Sequence, residues 1–172
     1  MTLSTKDYLI KRLSGYWKME GFNMLAIPAL MLFLTKLQIS WWTVIATLAA
    51  VLLLGVGTMY WRAKLHQIQG RGQNFEPTMY LIKSLQLPSL ILTLLSAGYC
   101  VLLWVKPDLS RGRPDQIAIT VMAVLAVLEY INYYHRQLNY FDNKADLKRV
   151  FAGKRFQRSQ MRRDLDQIAR RK

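Results

Sequence analysis

The residues with the greatest chemical capacity stand together near the end of the apolar part of the chain, in EYINYYHRQLNYF (129–141). At helical spacing Glu129, Asn132 and Arg136, then Asn139 or Tyr140, share one face. An acid, an amide and a guanidinium on one stripe can bind a proton or a cation. With His135 and Tyr133 as contributors they can also hold a lipid headgroup. The plainer reading is a structural clamp, with Glu129 hydrogen-bonded to a neighbouring helix and Arg136 on phosphates. If hydrocarbon ends near Tyr134 to Gln137, Glu129 lies about 8–12 Å inside it at 1.5 Å per residue. At that depth it needs a partner, a proton or a wet cavity. Tyr130, Tyr133, Tyr134 and Tyr140 suit an interface, where a ring is apolar and its hydroxyl wet. His135 has only His66 to accompany it, which reads as an interfacial histidine rather than a ligand or base.

What those groups can do depends on the elements that carry them. Segments 41–61 and 85–105 are 21 residues each, with no side chain charged at neutral pH, and roughly 20 helical residues cross about 30 Å of hydrocarbon. Residues 117–134 form a third apolar block with a single acid. The block at 22–37 is weaker, because its uninterrupted apolar core runs only from Met24 to Leu34 and contains Pro28. It spans only by borrowing residues 17–21, with Lys18 and Glu20 snorkelling to the headgroups.

The expected fold is therefore all-α: an integral membrane four-helix bundle with amphipathic helices at both termini. Its parts are an interfacial helix at 1–21, a transmembrane domain at 22–138 and a basic helical tail at 139–172. The spans fall at about 22–38, 41–61, 85–105 and 117–135. Pro28 and Pro88 are expected to kink their helices. Ala46 and Ala50 permit close helix approach, and Ser89, Thr93 and Ser96 read as packing hydroxyls. Residues 66–78 contain a GxG that lacks the strand and helix start of a nucleotide loop, so they read as a flexible linker. Six charged side chains within residues 1–21 argue against a cleaved signal peptide, and the lone Cys100 excludes an internal disulfide.

The formal net charge is +14, and its placement matters more than its size. Twenty Lys and Arg lie at the N-terminus, between spans two and three, and from Arg136 onward, against four in the other two connections. That bias places both termini in the cytoplasm of a cell (plasma or inner) membrane and argues against dual topology. The tail cations Lys148, Arg149, Lys154, Arg155, Arg158, Arg162 and Arg163 suit anionic lipid headgroups, at about 1 kcal/mol each, or an acidic protein partner. Nucleic acid or a ribosome is less supported, because no recognition motif accompanies the charge.

Two amphipathic tail helices are expected. Asp142 caps one with Leu147, Val150 and Phe151 on its apolar face, and Ser159 caps the other with Met161, Leu165 and Ile168. Both apolar faces would rest on the membrane or on a partner. A faint internal echo pairs DYLIKRL (7–13) with MYLIKSL (79–85), and YWRAKLHQI (60–68) with YYHRQLNYF (133–141). A duplicated two-span hairpin would produce it, as would residue types common at membrane exits.

Two functional readings follow. One is a non-catalytic, partner-binding or accessory subunit of a membrane complex, and the other a small transporter or lipid-handling protein using Glu129. No triad, paired carboxylates or metal-ligand spacing is visible, so no catalytic residue, metal or cofactor is assigned.

Overall fold

A computed structural model describes residues 5–137 and 157–170. Helix α1 is a single helix over Thr5–Leu34, with no break between the expected interfacial helix and first span. Pro28 lies inside it. It ends where Lys36 and Leu37 adopt left-handed φ angles of 51° and 63°, and the Thr35 hydroxyl returns a hydrogen bond to the Met31 carbonyl at 2.8 Å. Ser40 then caps α2, Trp41–Ile68, by accepting from the Thr43 amide.

Helix α2 closes with a Schellman motif. Arg71 N–H donates to His66 C=O at 2.8 Å and Gly70 N–H to Gln67 C=O at 3.1 Å, with Gly70 at φ 80°. A 3-10 turn at Gly72–Asn74 leads directly into α3, Phe75–Ser84. The linker expected at 66–78 is thus mostly helical, because a C-cap and a turn use nearly all its residues. Pro88 has no amide to give to Ser84, and the helix breaks there into α3 and α4, Gln86–Val105. After a turn at Pro107–Leu109, α5 runs over Arg113–Tyr134 and α6 over Gln160–Ala169. Among the described residues no strand forms; one isolated antiparallel bridge joins Arg136 to Arg158.

Helix α2 is the hub, touching α1, α3, α4 and α5. Its inward positions are small where helices must approach, with Ala46, Ala49 and Ala50 at most 1% exposed. Lipid offers no hydrophobic drive between helices, so close packing and hydrogen bonds hold them together. The small-residue pair Ala46 and Ala50 does this, and Ser89, Thr93 and Ser96 are buried on α4. Large apolar residues such as Leu48, Ile91, Leu94, Val121, Val124 and Leu128 remain on the outside. α2, the α3–α4 pair and α5 are long and apolar enough to cross a membrane; α1 is not among them. Of the four spans expected from the sequence, three are thereby shown by length and composition, and the weaker first block is not among them.

The bundle has two ends. At the loop end, Asp115 is 1% exposed and accepts from the amides of Ser40 and Arg111, both at 3.0 Å, and from the Thr43 hydroxyl. One carboxylate thus ties the starts of α2 and α5. Trp42 stacks on Tyr99 at 4.1 Å beside it. The tail end gathers the first half of α1, the last turns of α2 and α5, and α6.

A candidate binding cavity at the tail end

Helix α5 stops at Tyr134, and this changes the expected polar face. His135 occupies the C-cap and Arg136 N–H turns back to the Ile131 carbonyl at 2.8 Å. Arg136 therefore leaves the stripe of Glu129 and Asn132 and pairs with the returning strand of chain. Gln137 N–H donates to Gln157 C=O at 3.1 Å, and Ser159 N–H to His135 C=O at 3.2 Å. The continuation of the face to Asn139 or Tyr140 lies outside the described residues, as do Lys148, Arg149, Lys154, Arg155 and the helix expected after Asp142.

Ser159 caps α6 as the sequence predicts, accepting from Arg162 N–H at 3.0 Å, and its hydroxyl donates to the Tyr133 carbonyl. The apolar face of α6 goes elsewhere than expected. Met161, Leu165 and Ile168 are buried in the protein's own core, against α3 and α5, rather than on a membrane or partner. The bundle's tail end is itself an unfilled apolar surface, and a tethered helix covers it at little entropic cost. Of the tail arginines, Arg158 and Arg162 pair with Asp166, at 3.6 and 3.1 Å, and Arg163 donates to Gln160. Arg158 and Arg162 line a shallow basic groove with His135 and Arg136.

Between α1, α2, α5 and α6 lies a cavity of about 370 Å³. Two tyrosines define its polar side. Tyr133 donates to Glu20 at 2.7 Å, and Tyr60 donates to Asp164 at 2.8 Å. Tyr60 and Tyr133 are the echo-related residues, so each half of the chain contributes one phenol to the same cavity. Lys64 Nζ also reaches Asp164 at 2.8 Å and lies 5.1 Å from the Phe75 ring centre. Leu9, Leu13, Trp61 and Met161 supply an apolar side.

Glu20 is the correction with the widest consequence. A snorkelling carboxylate is expected there, yet Glu20 is 4% exposed and reaches into the bundle. It shares the only inward face of α1 with Leu13, seven residues earlier. Glu129 is half-buried, accepts from Asn132 Nδ2 at 3.5 Å, the outer limit of a hydrogen bond, and interacts with the Tyr133 phenol. The sequence showed no paired carboxylates; the fold brings two, Glu20 and Glu129, to one tyrosine. Asn132 and Tyr133 line the cavity, whereas Glu129 and Arg136 do not.

Asp164 anchors α6. Asp164→Ala leaves the Tyr60 hydroxyl and Lys64 without their acceptor, and is expected to cost about 2–3 kcal/mol. Limited proteolysis should then cut α6 faster than in the parent protein. Asp166→Ala, whose ion pairs are partly exposed, should cost under about 1 kcal/mol.

Comparisons with known protein families, curated proteins and solved structures find no match to this chain. The fold and cavity define the class: an all-helical protein with three helices long and apolar enough to cross a membrane and a half-polar cavity at one end of them.

Proposed function

We propose that this is a four-span inner- or plasma-membrane protein that binds an amphiphilic molecule at the cytoplasmic interface, as a small carrier or lipid-handling protein. The cavity carries the reading, because its walls are apolar on one side and hydrogen-bonding on the other. Its depth fits. Helix α5 has 22 residues, about 33 Å at 1.5 Å per residue, so Tyr133 at its end stands where hydrocarbon meets headgroups.

Helix α1 serves as the fourth span. Phe22, Leu25, Leu30, Phe33 and Leu34 are exposed along its outer side, where lipid would cover them. The charge bias then sets the termini in the cytoplasm. The cations of the tail end, Arg136, Arg158 and Arg162 included, face anionic headgroups there. The α6 face that could have met a partner is used within the chain, which favours the cavity over the accessory-subunit reading.

Native mass spectrometry of the full chain in dodecyl maltoside tests the reading. The parent protein should retain about one amphiphile per chain. Leu13→Trp, which fills the cavity from α1, should reduce retention roughly tenfold, a 1.4 kcal/mol effect. A parent protein that retains none, and binds no added octyl glucoside, would refute the cavity's role.

A further inference from the structure

The charges around the cavity are unequal in their commitments. Lys64 is held by Asp164 and by the Phe75 ring. Arg12 Nε donates to the Tyr16 hydroxyl at 2.6 Å, and its guanidinium lies 5.3 Å from that ring's centre. Glu20 is different. It is 4% exposed, takes a hydrogen bond from neutral Tyr133, and among the described residues forms no ion pair with Lys, Arg or His. A buried carboxylate without a counter-cation is unfavourable, and here it opens onto a cavity that has room to supply one.

The walls specify what kind of cation fits. Tyr16 and Trp61 lie 5.1 Å apart and tilted, and Tyr60 meets Trp61 edge-on at 4.8 Å. With Tyr133 they place four aromatic rings around the Glu20 carboxyl's cavity. Aromatic faces attract organic cations, ammonium groups above all. A bare metal ion asks for several oxygen ligands instead, and among the described residues no group of three or more acidic, His or Cys side chains is placed to hold one. Leu9 and Met19, at 37% and 51% exposure, form an apolar rim on α1 through which a hydrocarbon tail can leave toward lipid.

We infer that the cavity selects an alkylammonium group, with Glu20 as its counter-charge and the Tyr16–Trp61–Tyr60–Tyr133 rings as its walls. This assignment rests on the amphiphile-binding reading above and narrows it to one charge class. The ammonium can arrive on a water-borne amphiphilic cation or on a lipid with an amine headgroup, and the two sources share this recognition.

Equilibrium binding to the full chain in dodecyl maltoside, with protein-free micelles subtracted, decides the matter. Octyltrimethylammonium, octyl glucoside and octyl sulfate serve as cationic, neutral and anionic probes of one tail length. The parent protein should bind the cation at least about tenfold more tightly than the sulfate, with the glucoside between them. Glu20→Gln should erase the preference, with cation and sulfate then binding within about twofold of each other, and Trp61→Leu should weaken the cation more than the glucoside. Equal binding of all three probes by the parent protein overturns the charge assignment alone, whatever becomes of the variants. Binding of none overturns the underlying reading as well. Native mass spectrometry with added phosphatidylethanolamine or phosphatidylglycerol separates the sources. Preferential retention of the ethanolamine lipid assigns a lipid ligand, and preference for octyltrimethylammonium without it assigns a water-borne one. Preferential retention of the glycerol lipid counts against the ammonium site.

Discussion

Gly57→Ala is expected to lower the thermal midpoint of the detergent-solubilised protein and to part Tyr133 from Glu20. Gly57 is buried on α2, and a β-carbon there would overlap the Tyr133 hydroxyl and ring. Tyr133 has little freedom to yield. It is 2% exposed, its carbonyl accepts from Ser159, and its hydroxyl is committed to Glu20. Overpacking of this kind costs about 1–3 kcal/mol, and a lost buried hydrogen bond adds about 1 more. The double variant Gly57→Ala/Tyr133→Leu should lose less than the sum of the single losses, since the two side chains compete for one space. Gly15→Ala is the control. Its added methyl meets nothing within 4 Å, so alanine's better helix propensity should leave stability unchanged or up to about 1 kcal/mol higher. A Gly57→Ala protein as stable as its parent would mean that α2 and α5 are not packed as described.

Asp115→Ala should have the largest effect of any single acid, about 4 kcal/mol. Three donors converge on this carboxylate, from Ser40, Thr43 and Arg111. Hydrogen bonds to a charged group contribute about 1.5–3 kcal/mol each, and the total falls short of their sum because water can enter the space left by the side chain. Asp115→Asn should cost about half as much, since an amide nitrogen then faces at least one of the donors. Asp108→Ala, on an exposed turn of the same connection, should stay within about 0.5 kcal/mol. Unfolding of the full chain in a single detergent, followed by tryptophan fluorescence, ranks the three. Trp42, stacked on Tyr99 beside the clamp, reports directly on that end.

The contrast between these acids shows where sequence reasoning succeeds. Long uncharged segments at 41–61 and 85–105 announce membrane-length helices because hydropathy is a local sum. The Ser159 cap and the Met161, Leu165, Ile168 stripe are local in the same sense, and α6 forms where they predict. The neighbours of that stripe are not local. Its apolar face fits a membrane, a partner or the chain's own bundle equally well, and only the end of α5 at Tyr134 with the return of residues 157–159 settles the choice.

The candidate site was half legible. Glu129, Asn132 and Tyr133 stand out as polar groups in an apolar run, and the structure brings them together. Glu20 and Asp115 did not stand out, because each lies near the end of an apolar segment, where a charge normally turns to water, and Asp164 is one of several charges in the run RRDLD of α6. Their partners are 113, 75 and 104 residues away in the chain. One signal was present: the echo that aligns Tyr60 with Tyr133 marks two phenols that meet at one cavity.

The sequence by itself determined that the chain is helical, which segments are apolar enough to cross a bilayer, and where the tail helix α6 is capped. Each of these depends on residues within a few turns of one another. Tertiary structure alone decided which acids are buried, which tyrosines they meet, and that the tail helix closes over a cavity. Those outcomes turn on the approach of α2 to α5 at Gly57 and on packing between helices distant in sequence, which no local pattern of residues encodes.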